Sequence, residues 1–142
     1  MKTLKKFAWL LLLPGALTFS TCSKSGDDDV VEPKTLADEV IGNYEGKKLT
    51  IAGKDQTIPT NGLSVDLAVL RKTDTEINGK LTYSLNGKNE FSDLEASLAK
   101  NADGSIDILQ ANSRIGNYKS GTITVNGKNA SGVAFVLTAT KK

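Results

Sequence analysis

The 142-residue chain contains no histidine and a single cysteine, Cys22. The absence of histidine excludes Ser-His-Asp and Cys-His nucleophilic systems and every Cys/His zinc site. A lone cysteine cannot close a disulfide within the chain. General acid–base chemistry would fall to carboxylates, lysine or tyrosine, and no spacing of these residues singles out a catalytic set. We therefore expect a protein that is not an enzyme and that holds no cofactor and no metal.

The N-terminal apolar run is short for a membrane span. It covers residues 7–19, and Pro14 interrupts it, whereas a helix needs about 20 apolar residues to cross a bilayer. Lys2, Lys5 and Lys6 precede the run. A basic head, a short apolar segment and small residues before a cut are typical of a secretory signal.

The cysteine stands at the expected cut. Phe19-Ser20-Thr21-Cys22 resembles the cleavage box of bacterial lipoprotein precursors, whose processed first residue is a lipid-bearing cysteine. Residues 23–29 resemble the Ser/Asp-rich stretch that routes some lipoproteins to the outer face of the outer membrane. The resemblance implies lipid attachment at Cys22 and a protein anchored to the outer membrane and exposed at the cell surface. The alternative is an ordinary secretory signal with a thiol nearby.

These features divide the chain into a signal peptide (residues 1–21), a lipidated, flexible acidic tether (residues 22–34) and one domain (residues 35–142). The tether is too polar to bury an ordering core, and the domain is long enough for one core. The formal charge of +2 comes from 18 basic and 16 acidic residues. Without the three lysines of the signal it is 15 against 16, so no basic excess predicts binding to nucleic acid.

The domain begins with a helix signal. Thr35 is a suitable N-cap, Asp38 stands three residues on, and Gly42 follows the apolar positions. This spacing predicts a short helix over residues 36–41.

Strand patterns fill the remainder. Side chains alternate cleanly from Leu63 to Val69, and Asn86-Gly87 predicts a type I′ hairpin turn. Residues 91–100 fit a helix or a strand, and their neighbours favour a strand. We also expect a short strand at residues 57–59 that Pro59 ends. Near the C-terminus the pattern predicts one strand over residues 118–125, a turn at Asn126-Gly127 and a last strand over residues 133–140.

The fold class that follows is all-β. About eight strands with short turns leave no room for crossover helices, so we expect an antiparallel meander that forms a small barrel or a sandwich, with one short N-terminal helix. An eight-stranded barrel has an interior just wide enough for side chains or one small ligand.

Two segments carry a family resemblance. Residues 36–46 (LADEVIGNYEG) and residues 121–128 (GTITVNGK) resemble the calycin-like, or lipocalin-like, lipoproteins of anaerobic Gram-negative bacteria. The resemblance implies a lipocalin-like barrel. Gly42-Asn43-Tyr44 stands where lipocalins begin their first strand with Gly-x-Trp, which implies that Tyr44 lies under the barrel floor. The arginine of the lipocalin last strand is replaced here by Lys141 and Lys142.

A ligand inside such a barrel would contact apolar inward positions, for which core packing is the alternative. The candidate ligand-binding residues are Tyr44, Leu63, Val65, Leu67, Leu81, Tyr83 and Phe135.

Two other candidates are weaker. Residues 101–107 (NADGSID) resemble a calcium loop, but Ala99 and Gln110 would occupy its first and last ligand positions, which require carboxylates. Glu90, Asp93 and Glu95 could supply an acid–base pair, but Asp93 and Glu95 share one face of a strand, which indicates a solvated outer surface.

The hypothesis that fits best is non-enzymatic binding of a small apolar ligand or of a protein. The alternative is a structural or accessory subunit of a cell-envelope complex, and a carboxylate-based hydrolase ranks behind both.

Overall fold

The computed structural model describes residues 33–129 and 131–142. The predicted signal peptide, Cys22 and most of the predicted tether lie outside these residues. The described part contains one helix and nine strands. They are α1 (Leu36–Val40), β1 (Gly42–Ile51), β2 (Lys54–Thr57), β3 (Leu63–Arg71), β4 (Glu76–Leu85), β5 (Lys88–Lys100), β6 (Ile106–Gln110), β7 (Ser113–Lys119), β8 (Thr122–Lys128) and β9 (Ala134–Lys141). None of the described helical structure is long and apolar enough to cross a membrane.

The strands form a closed antiparallel barrel. Each strand from β3 to β9 pairs with its neighbour in sequence, and β9 pairs back with β1. On its other edge, β1 pairs with β3 through residues 42–45 and with β2 through residues 48–51. The barrel wall thus has eight strands among the described residues, and β2 is an extra strand beside the second half of β1. The all-β prediction is confirmed, and of its two forms the structure is the barrel.

The wall is uneven in height. β4 pairs with β5 along its whole length, from Glu76 to Leu85, but β6 reaches only residues 97–100 of β5. On the far side of the short β6–β7 hairpin, β7 pairs only with residues 122–125 of β8. Within the described residues, the wall therefore has a gap above this hairpin, between residues 88–96 of β5 and residues 126–128 of β8.

The helix covers one end of the barrel, which we call the closed end. Thr35 and Asp38 form the predicted capping box, which satisfies two backbone amides at the helix start. Ala37 and Val40 are fully buried, and the Ala37 amide donates to the Asp74 carbonyl at 3.0 Å. Glu39 forms an ion pair with Lys100 at 2.7 Å. The predicted helix is confirmed, although it ends one residue earlier, at Val40.

Inward-facing residues of the eight wall strands pack the barrel interior at the closed end. The alternation predicted for β3 is confirmed, because Leu63, Val65, Leu67 and Val69 are all buried. Residues 91–100 belong to a strand, β5. Asn86 and Gly87 both have positive φ, 50° and 80°, as the predicted type I′ turn requires.

The prediction of a short strand at residues 57–59 is wrong, because the strand lies earlier in the chain. The strand is β2, Lys54–Thr57, and Ile58 beyond it is 2% exposed. The cause is a bulge in β1, where the register shifts between Gly46 and Lys48. The carbonyl of Lys47 accepts the Ile58 amide at 3.1 Å, and Gly46 leaves space into which the Ile58 side chain packs. A bulge of this kind leaves no trace in simple alternation.

The prediction for residues 118–128 is also wrong. The supposed single strand is a hairpin of β7 and β8, turned at Ser120 and Gly121, which have φ values of 49° and 81°. Asn126-Gly127 is not a turn but lies inside β8. The turn comes later, because the Asn129 side chain accepts the backbone amides of residues 131 and 133 at 3.0 and 2.9 Å.

Candidate functional site

A cavity of about 480 Å³ opens at the end of the barrel opposite α1, which we call the open end. Its walls come from β1, β3, β4, β5, β8 and β9. The lining residues are Leu49, Ile51, Val65, Leu81, Tyr83, Glu90, Phe91, Ser92, Lys128, Asn129 and Phe135.

Strand register places the apolar side chains on one face. Val65 on β3 lies directly opposite Tyr83 on β4, and Phe135 on β9 lies opposite Ile51 on β1. Residues directly opposite in an antiparallel pair have their side chains on the same side of the sheet. The alternation that buries the core at the closed end thus carries the same apolar face up into the cavity, where Leu81, Tyr83 and Phe135 are only half-buried.

Gly127 determines where the Phe135 ring lies. The two residues are paired across β8 and β9, and a Cβ atom at position 127 would lie 2.6 Å from Phe135 Cζ. The ring therefore occupies the space above the glycine. This contact explains why a glycine stands at position 127 inside a strand.

The polar lining residues lie on the two borders of the wall gap. Glu90 and Ser92 belong to β5, and Lys128 and Asn129 stand at the end of β8. Glu90 lies opposite Tyr83, so its side chain shares the inward face. Glu90, Ser92 and Lys128 are exposed. The cavity is thus apolar inside and polar at its mouth.

Of the seven predicted ligand-binding residues, four line the cavity and three do not. Val65, Leu81, Tyr83 and Phe135 line the cavity. Leu63 and Leu67 are buried core residues, 6% and 2% exposed, and do not line it.

Tyr44 lies at the closed end and has a structural role. It is fully buried, and its hydroxyl donates to the Val40 carbonyl at the end of α1. Burial raises the pKa of Tyr44, and the neighbouring Tyr118 adds to the effect. The hydroxyl therefore stays protonated and joins the helix to the barrel floor.

Sequence reasoning did not assign the other cavity residues to a site. Leu49 and Ile51 had a recognisable signal, since they alternate with polar neighbours at the end of β1. The remainder depend on strand register and on the wall gap, which no local pattern encodes. They are Glu90, Phe91, Ser92, Lys128 and Asn129.

The calcium-like segment is a hairpin turn. The Asp103 carboxylate accepts the backbone amide of Ser105 at 3.0 Å and its hydroxyl at 2.6 Å, and it pairs with Lys119 at 2.9 Å. These partners, Ser105 foremost, hold the pKa of Asp103 well below its usual range. Within residues 33–129 and 131–142, no three carboxylates cluster as a metal site would require.

The three carboxylates of β5 do not converge. Glu90 shares the inward face with Tyr83, whereas Asp93 lies opposite Lys80 on the outer face. Glu95, also on the outer face, forms an ion pair with Lys72 at 3.2 Å. The predicted outer position of Asp93 and Glu95 is confirmed, and the arrangement offers no facing acid–base pair in β5.

The sequence matches no family model and no curated protein. Among solved structures, it is similar to a de novo designed fluorescence-activating β-barrel, with 15% sequence identity and a TM-score of 0.46, over 75% of this chain and 96% of the designed one. The barrel assignment itself rests on the strand pairing described above.

Proposed function

We propose that this chain is a lipoprotein anchored at the outer-membrane surface, whose calycin-like barrel binds a small apolar ligand in the open-end cavity without catalysing a reaction. The observation that carries the proposal is the cavity. Its volume of about 480 Å³ falls within the roughly 300–1,000 Å³ typical of small-molecule sites. Apolar walls with a few polar groups at the mouth are also the usual composition of such sites.

A stably packed barrel does not need a cavity. A barrel of this size can be filled by its own side chains, and the closed end of this barrel is filled in that way. Half-buried Leu81, Tyr83 and Phe135 instead leave apolar surface facing the cavity. An apolar ligand that covered this surface would gain about 25 cal/mol for each Å² removed from water.

The proposed anchor is supported by the sequence. The basic head, the short apolar run and Cys22 are arranged as in lipoprotein precursors. Stable anchoring takes more than one acyl chain, since one chain gives only marginal binding, and a triacylated cysteine would meet this requirement.

Binding can be tested with the neutral apolar dye N-phenyl-1-naphthylamine on the full-length Cys22→Ala chain, which carries no lipid. We expect saturable binding that Val65→Phe abolishes, because the larger ring would project from the inward face of β3 into the cavity. The matched control is Val136→Phe, the same change on the outer face of β9, where Val136 is 36% exposed. The leader is common to all variants and cancels in the comparison.

Equal dye binding by both variants would contradict binding in the cavity. Circular dichroism of each variant must show an intact β-sheet, so that a loss of binding is not a loss of fold.

The anchor is tested separately. Cys22→Ala expressed in the native host, or globomycin treatment of the wild type, should leave unprocessed or soluble protein. A variant that still fractionates with the outer membrane would contradict lipid attachment at Cys22.

One observation favours the accessory-subunit alternative. Phe91 is 60% exposed on the outer face of β5, under the Lys80 ammonium at 4.6 Å, and the adjacent strand edge has no β6 partner among the described residues. Unpaired edges can accept a strand from another protein. Cross-linking from position 91 to an envelope protein in intact cells, together with no dye binding, would favour this alternative.

A further inference from the structure

We infer that the ligand of the open-end cavity is an amphiphile with an anionic polar end, which lysines around the mouth attract while its apolar part fills the barrel. This inference rests on the proposed function and specifies the chemical class of the ligand.

Three lysines stand at the mouth. Lys54 lies directly opposite Ile51, a cavity residue, so its side chain is on the cavity face of the β1–β2 hairpin. Lys88 lies opposite Leu85 at the start of β5, two residues before Glu90 and on the same face. Lys128 stands at the cavity rim at the end of β8, at a register position opposite Ala134 on the outer side of the wall. The lysines thus come from three separate strands around one opening.

The charge balance at the mouth is positive. Within the described residues, Lys54, Lys88 and Lys128 form no ion pair, whereas most other lysines at the barrel ends do. Asp55, next to Lys54, is paired with Lys48 at 2.6 Å, which together with Thr50 lowers its pKa. Glu90 is the one acidic residue of the cavity lining. The three lysines therefore outweigh the acidic charge that remains.

The shape of the mouth suits an amphiphile. The interior offers apolar walls and no charged side chain below the mouth among the lining residues. The wall gap above the β6–β7 hairpin opens the mouth to water on one side, so a charged headgroup need not be desolvated fully. Low-dielectric walls also focus the field of the lysines at the opening.

Competition for the bound dye tests the inference. Decanoate, 1-decanol and decylamine share a ten-carbon chain and differ in headgroup charge. Each would be titrated, below the concentration at which it self-associates, against N-phenyl-1-naphthylamine on the full-length Cys22→Ala chain. We expect decanoate to compete about fivefold better than decanol, since a few exposed charge contacts contribute modestly, and decylamine to compete worst. Added salt should reduce the difference.

Variants locate the effect. In K54Q/K88Q/K128Q the advantage of decanoate over decanol should disappear. The matched control is K72Q/K100Q/K119Q, which removes the same net charge at the closed end. Glu90→Gln should strengthen decanoate binding.

The outcomes separate the two proposals. If no amphiphile displaces the dye and the dye itself does not bind, the proposed function fails, and this inference with it. Equal competition by the three amphiphiles, preference for decylamine, or an equal effect of the control variant would overturn the inference and leave the cavity function intact. Binding to phosphatidylglycerol vesicles without competition by decanoate would also overturn it, because the lysines would then contact a membrane surface.

Discussion

The two ends of the barrel differ in how completely the same kind of apolar face is covered. At the closed end α1 lies over the interior, and Ala37, Val40 and Tyr44 are fully buried. At the open end the interior side chains Tyr83 and Phe135 are only half-buried. Both ends are lined by alternating apolar residues of the same strands. The difference between the packed core and the cavity therefore comes from the five-residue helix and from the height of the wall, and not from residue composition.

Wall height has a local cause. The β6–β7 hairpin turns at Ala111 and Asn112, both at positive φ, after only five residues of β6. β4 and β5 continue well past this level. The short hairpin seals the closed end and leaves the gap at the open end. If this comparison holds, substitutions in the sealed part should cost stability, and substitutions at the open end should alter binding.

The largest effect should come from Gly116→Ala in the short hairpin. A Cβ atom there would overlap the backbone carbonyl oxygen of Thr124 on β8, and backbone cannot move aside as a side-chain tip can. We expect the free energy of unfolding, measured in urea, to fall by about 3 kcal/mol or more, at the upper end of overpacking effects.

The control is Gly79→Ala on β4, where the added atom would meet Leu94 Cβ at an ordinary 3.4 Å. A small loss is expected there. If Gly116→Ala were no worse than Gly79→Ala, the sealed part of the barrel would be looser than the structure indicates.

A smaller effect should follow from Tyr44→Phe, which removes the hydrogen bond to the Val40 carbonyl. Leaving a buried acceptor unsatisfied costs about 1–3 kcal/mol. The matched change at the open end is Tyr83→Phe. The Tyr83 hydroxyl makes no hydrogen bond within the described residues, so the free energy of unfolding should hardly change. Urea unfolding of both variants measures the difference, and equal losses would contradict the comparison of the two ends.

Alkaline pH gives a second measurement of Tyr44. The raised pKa means that the fold favours the protonated hydroxyl, so this stabilisation is complete below about pH 10, the ordinary tyrosine pKa. It is lost as the pH rises above that value, at up to about 1.4 kcal/mol per pH unit, because only the unfolded chain releases the proton. The wild type should lose stability more steeply than Tyr44→Phe in this range.

Local sequence signals predicted the elements that local chemistry determines. The capping box of Thr35 and Asp38, the alternation of β3 and the Asn86-Gly87 turn each depend on residues a few positions apart, and all three are confirmed. The number of strands and the short turns between them predicted an antiparallel barrel or sandwich, and the pairing of β9 with β1 makes it the barrel.

Other features depend on partners distant in sequence. Asn126-Gly127 has the composition of a turn, but Phe135 on the next strand requires a glycine beneath its ring. Tyr44 stands where the sequence predicts a ligand contact, but its hydroxyl donates a hydrogen bond to the Val40 carbonyl at the end of the preceding helix. The cavity residues of β5 and β8 border the same opening because β6 and β7 are short. Such register and length effects are set by the whole sheet.

A smaller loss of stability than that of Gly116→Ala should follow from Gly127→Ala, whose main effect should be on ligand binding. The added Cβ would lie 2.6 Å from Phe135 Cζ, and an aromatic ring that lines a cavity has space to move. We expect a loss below about 1.5 kcal/mol together with a changed affinity for N-phenyl-1-naphthylamine, measured on the same full-length Cys22→Ala chain. Gly116→Ala and Gly127→Ala add the same methyl group to adjacent strands of one barrel. A stability loss at position 127 as large as that at position 116 would mean that the open end is packed as rigidly as the closed end, and that Phe135 belongs to the core rather than to the wall of a ligand cavity.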